Sequence, residues 1–131
     1  MQKDFDSWNK EKKKLHLVGF EHLRFHEREI WWCSLGINLG DEEDGKNQLF
    51  ERPILVVKKF NDRLAWAIPM TTKLKSSKYY YVIHYKGKNF SLILSQLRLV
   101  SVKRFRRLIR KLPNNEFLSV PHSLATLIKA E

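Results

Sequence analysis

A chain of 131 residues with 43% apolar residues and four tryptophans is long enough to bury one core, which excludes a disordered polyelectrolyte. Its 25 Lys and Arg against 14 Asp and Glu leave a net charge of +11, which points to nucleic acid, an acidic protein or an anionic membrane surface as partner. No apolar run approaches the roughly 20 residues of a membrane span, the N-terminal MQKDFDSWNKEKKK has no apolar centre to serve as a secretory signal, and the single cysteine, Cys33, excludes an intramolecular disulfide. The reducing cytosol is the compartment this implies.

Phe5, Trp8 and Leu15 fall at helical spacing behind Asp4 or Asp6 as N-cap, so residues 4–15 are expected to form an amphipathic helix with Lys10, Lys12, Lys13 and Lys14 outward. Residues 16–27 link it to the main body. REIWWCSL, 28–35, is rich in bulky and β-branched residues and reads as a strand. After it comes GINLGDEEDGKNQLF, a loop of fifteen residues with three glycines and four acids. Loops of that length inside a compact domain are often functional.

PILVVKK and RLAWAIPM are the next two strands, with Asn61-Asp62 as their turn. The polar, basic TTKLKSSK leads to YYYVIHY and FSLILS, a hairpin around KGKN in which Gly87 takes the turn. QLRLVSV alternates as a sixth strand. Phe105, Leu108, Ile109 and Leu112 make an apolar stripe opposite Lys103, Arg104, Arg107 and Lys111, so a helix is expected there, ended by Pro113. A second helix follows from Asn114 or Asn115, with Phe117, Leu118, Leu124, Leu127 and Ile128 inward and Pro121 either kinking its first turns or delaying its start to Ser119. Several short antiparallel strands followed by helices describe a small β-barrel of α+β class.

Polar motifs stand at the strand ends. In ERPILVV, Pro53 holds the preceding Arg52 in extended geometry at the start of a strand buried on both faces. An arginine there is a stiffly mounted, permanently charged fork that matches phosphate oxygens. Thr71-Thr72 closes the third strand, and Ser95-Gln96-Leu97-Arg98 joins the fifth to the sixth.

Those pieces in this order (EIWWCSLG, a long glycine-bearing loop, RPILVV, IPMTT, SQLRLV, KRF and a C-terminal helix) resemble the MazF/PemK/Kid family of toxin endoribonucleases over residues 27–129. The resemblance implies a small SH3-like antiparallel barrel of the CcdB/MazF/PemK type with a C-terminal helix, comprising residues 27–131. Residues 1–26 would then be an added N-terminal helical extension. It also implies a homodimer and a cognate antitoxin. The activity implied is cleavage of single-stranded RNA, usually mRNA, with no metal and no cofactor.

The family arginine before the second strand lands on Arg52 and its catalytic threonine on Thr71. The later QxR segment lands on Gln96 and Arg98. Ser95, Thr72, Lys73 and Lys58 complete the expected substrate contacts. In RNA self-cleavage the 2′-hydroxyl attacks phosphorus, giving a 2′,3′-cyclic phosphate and a 5′-hydroxyl. Charge gathers on the phosphoryl oxygens, which Arg52 can meet with two parallel hydrogen bonds and Thr71 with a hydroxyl. Kid-like relatives place an arginine and an aspartate before the glutamine; here those positions are Ile93 and Ser95, so the MazF-like arrangement is the one expected.

Lysines 58, 59, 73, 75, 78, 86 and 88, with Trp66 and Tyr79 to Tyr81, read either as a solvated surface or as a basic groove with stacking platforms. His22 and His26 lie four apart but lack a third ligand for a metal. Cys33 reads as a packed core thiol. Two other readings compete with the nuclease. One is an SH3-like module that grips RNA without cutting it; the other is the gyrase-poisoning toxin architecture, which lacks the RP and Thr set.

Overall fold

The computed structural model describes residues 2–19 and 23–129. His22 lies outside the described residues. Helix α1, Phe5–His16, begins at Asp4, whose carboxylate accepts the Ser7 N–H at 3.0 Å; that bond lowers the Asp4 pKa. Trp8 and Leu15 are buried and Phe5 stays exposed.

Seven strands follow: β1 Glu29–Ser34, β2 Glu51–Lys59, β3 Leu64–Thr71, β4 Tyr80–Tyr85, β5 Lys88–Ile93, β6 Arg98–Ser101 and β7 Phe105–Lys111. All pair antiparallel in one curled sheet ordered β4-β5-β3-β2-β1-β7. β3 takes two partners in succession on one side. Its first half, Leu64 to Ala67, pairs with β6, and Met70 and Thr71 pair with β5. Pro69, which has no N–H to offer, stands near the changeover. Short helices α2, Asn114–Phe117, and α3, Ser119–Ile128, close the chain. The helix does restart at Ser119, and Pro121 sits in its first turn, where a missing N–H leaves no bond unmade.

β1, β2 and β3 each feed two cores because successive side chains point to opposite faces. Ile54, Val56, Ala65, Ala67 and Val102 join Phe25, Trp31, Cys33 and Phe105 inside the curl. Leu55, Ile68, Met70, Ile83 and Leu92 meet Leu112, Phe117, Val120 and Leu124 on the face that α2 and α3 cover. Of the residues expected inward on the last helix, Leu118 and Ile128 are exposed, and Val120 is fully buried instead.

The helix expected over residues 105–112 is a strand. β7 pairs with β1, but the register slips twice, between Ile30 and Trp31 and again between Trp32 and Cys33. Two bulges in so short a strand break the period of two, and the spacing that results imitates a helical stripe. Phe105 and Leu112, the residue just after β7, in fact serve opposite faces, the first in the inner core and the second in the helix-covered one. Leu108 is half exposed.

Candidate active site

Arg52 is the second residue of β2, extended as Pro53 requires. The register that pairs Ile54 with Pro69 leads, two residues further along each strand, to Arg52 and Thr71. Both line one cavity of about 360 Å³. Its lining is apolar in part, from Trp32, Ile83, Tyr85, Phe90 and Ile109, and polar in part, from Lys46, Glu51, Thr72 and Arg110. The Arg110 guanidinium lies 4.5 Å from the Tyr85 ring centroid and donates to the His84 carbonyl at 3.3 Å, tying β7 to β4 across the cavity.

The Thr71 hydroxyl oxygen accepts the Lys73 N–H at 3.2 Å, which leaves its own proton available to donate. The Arg52 fork is engaged on three sides. Nε donates to the Asp44 carbonyl at 2.7 Å, Nη1 to the Met70 carbonyl at 3.0 Å, and Nη2 pairs with the Glu43 carboxylate at 2.9 Å. Its side chain is only 11% exposed. Glu51, the sequence neighbour, takes no part in holding Arg52. It is buried, and its carboxylate accepts from Arg107 at 3.1 Å and from Asn47 at 3.2 Å.

Ser95, Gln96 and Arg98 line a second cavity together with Asp41, Glu42 and Glu43. Glu43 joins the two cavities, since its carboxylate holds Arg52 while its N–H donates to Gln96 Oε1 at 2.7 Å. Gln96 Nε2 in turn donates to the Asp41 carbonyl at 3.1 Å. Of the residues expected from the sequence, Arg52, Thr71 and Thr72 therefore share one cavity and Ser95, Gln96 and Arg98 the next. Lys73 stands exposed beside Thr71 through its backbone. Lys58 lines neither cavity; it is exposed near the far end of β2, in register with Trp66.

Sequence reading missed Glu43 and Asp44 as partners of Arg52, and it missed Tyr85 and Arg110. The only signal for the first pair was an acidic run in a strongly basic chain. Tyr85, not Tyr79 to Tyr81, is the tyrosine in the cavity. Trp66 is 43% exposed and packs edge-on against Phe60. His26 pairs with Glu29 at 3.4 Å, and among the described residues no group of three or more His, Cys, Asp or Glu stands close enough to hold a metal. Cys33 is fully buried, and burial pushes its thiol pKa up to about 12. Burial, followed by the charge of Arg98, lowers the pKa of Arg104.

A curled antiparallel sheet with a C-terminal helix, carrying an arginine and a threonine at adjacent strand ends, defines a MazF-type fold. MazF from Deinococcus radiodurans superposes with a TM-score of 0.65 at 18% identity, over 81% of this chain and 97% of that one. The MazE-MazF structure from the same organism gives 0.59 at 15% identity, covering 84% and 99%. An endoribonuclease from a Mycobacterial species, solved with its cognate antitoxin, gives 0.59 at 11% identity, covering 79% and 93%. No curated relative matches the sequence. The family model for PemK-like, MazF-like toxins of type II toxin-antitoxin systems matches residues 26–128, and the chain belongs to that family.

Proposed function

We propose that the protein is a metal-independent, sequence-specific endoribonuclease toxin that cuts single-stranded RNA, including mRNA, in the cytoplasm and is neutralised by a cognate antitoxin. The observation that carries this reading is the meeting of Arg52 and Thr71 in the lining of one cavity. The 2′-oxygen forms a bond to phosphorus as the bond to the 5′-oxygen breaks; the 2′-hydroxyl proton is lost and the leaving oxygen gains one. Arg52 stabilises the charge on the phosphoryl oxygens, Thr71 donates a further hydrogen bond, and Gln96, Arg98 and Ser95 orient the flanking nucleotides, with Thr72, Lys73 and Lys58 along the RNA backbone. The active form is a homodimer of the body, residues 27–131, and residues 1–26 are an addition to it. Membership of a toxin family and the antitoxin complexes of two structural neighbours support the antitoxin.

The test is long single-stranded RNA incubated with the protein in excess EDTA, followed by mapping of the new ends. Cleavage leaving 5′-hydroxyl ends, lost in Arg52→Ala and in Thr71→Ala, is the expected result. Binding without cleavage across diverse RNAs would overturn it in favour of a non-catalytic SH3-like RNA-binding module. One observation favours that second reading: each of the three nitrogens of the Arg52 guanidinium already makes a contact within its own chain.

A further inference from the structure

The acidic loop between β1 and β2 lies directly against the Arg52 guanidinium. Glu43 presents a carboxylate to Arg52 Nη2 at 2.9 Å, Asp44 gives its carbonyl to Nε at 2.7 Å, and both ends of the Gln96 amide are taken by Glu43 N–H and the Asp41 carbonyl. A carboxylate is a planar, anionic acceptor of the same forked geometry that binds phosphate. A phosphodiester that takes the Nη2 position must displace that carboxylate.

That loop is held from outside by the N-terminal extension. Lys3 Nζ donates to the Asn38 carbonyl at 2.5 Å and to the Gly40 carbonyl at 2.8 Å, and it pairs with the Asp44 carboxylate at 3.0 Å. All three ammonium protons are thereby directed into the loop tip. The same Asp44 carboxylate accepts the Asn38 N–H at 2.7 Å, so Lys3 closes the loop upon itself.

The loop's two ends rest on Trp8. Gly36 has φ +88, and a Cβ there would come within 2.2 Å of the Trp8 ring. Phe50 has φ +56, a left-handed conformation unfavourable for a bulky side chain, and its ring packs edge-on against Trp8 at 5.5 Å. Helix α1 is itself docked on the body by contacts outside the loop: Glu11 with Arg106 at 2.9 Å, and Arg104 over Trp8 at 5.6 Å.

We propose that α1 with Lys3 is a latch that holds Glu43 and Asp44 as an internal carboxylate plug on Arg52 and Gln96, so that the anion seat opens only when the extension lets the loop go. The consequence for RNA rests on the reading of the site as a nuclease; the latch itself does not.

It is tested on the full chain by amide hydrogen exchange at Asn38, Glu43 and Gly45, whose N–H groups are all bonded within the closed loop or across it to Gln96. Modification of Arg52 by phenylglyoxal, located by mass spectrometry, is read in parallel. Loss of the charged Lys3 contacts in Lys3→Ala should accelerate both by about tenfold, with exchange in β2 and β3 unchanged. Trp8→Ala should act in the same direction, and if it does not fold, Lys3→Ala decides. Loop exchange and Arg52 modification equal to those of the unaltered chain in Lys3→Ala would overturn the proposal. RNA cleavage measured alongside separates the two readings. An opened loop without cleavage supports the latch and removes the nuclease, whereas unchanged exchange with normal cleavage removes the latch and leaves the nuclease.

Discussion

At the scale of single residues, the decisive chemistry is a division of labour between neighbours in the chain. Glu51 lines the same cavity as Arg52, but its carboxylate is answered there by Arg107 and Asn47, which leaves Arg52 to the loop and to β3. Thr71 takes a backbone N–H into its oxygen and keeps its proton for a ligand. Thr71→Val, which keeps the shape and removes the hydroxyl, should lower the rate of RNA cleavage by about 100-fold, while Thr71→Ser retains most of it; turnover of a short oligoribonucleotide measures both. Cys33 behaves oppositely to a nucleophile. With its pKa pushed up to about 12 by burial, the folded chain should resist iodoacetamide at pH 8 and react once unfolded. The raised pKa also fixes a sign. The thiol's contribution to stability is complete below the free-thiol value of 9.0 and is lost as pH rises from there toward about 12, because only the unfolded chain ionises. Denaturant melts of the unaltered chain and Cys33→Ala should therefore converge as pH climbs through that window.

At the scale of elements, the loop between β1 and β2 depends on its ends as much as on its tip. Gly36 has no Cβ because the Trp8 ring occupies that volume, and its φ is one that other residues adopt at a cost. Gly36→Ala should destabilise the fold by about 2 kcal/mol, seen as a lower denaturant midpoint and as faster exchange at Gly45. How far the elements were legible follows from their periods. α1, β2 and β3 carry clean signals, a capped 3.6 period in the first and unbroken apolar runs in the others, and they stand where expected. β7 did not, because two bulges interrupt its alternation, and Phe105, Leu108, Ile109 and Leu112 fall at a spacing that a helix would also give. The convergence of Arg52 and Thr71 was readable through family resemblance, since no local pattern states that the starts and ends of two strands are opposed. Glu43 and Asp44 were visible only as an acidic run. Their pairing with Arg52, and with Lys3 from the other end of the chain, is a tertiary fact with no periodic trace.

At the scale of the whole molecule, a net charge of +11 surrounds a site whose second cavity is lined by three acids of one loop, Asp41, Glu42 and Glu43. Long-range attraction and local exclusion therefore act on the same polyanion with opposite signs. Affinity for a single-stranded oligonucleotide should fall with salt, with a log–log slope of about −2 if three phosphates are neutralised. Titrations at several salt concentrations give that slope directly, and Arg52→Ala should make it shallower. Among the described residues no helix is long and apolar enough to cross a membrane.

The pairing of β1 with β7 has a temporal side. Glu29 finds its partner at Lys111, and Cys33 at Phe105, so a strand made early waits beside an unfilled edge until residues 105–111 have been made. Pairings this distant in the chain form late and slowly. The edge of β1 that β7 covers is therefore the one left open longest while the sheet is assembled.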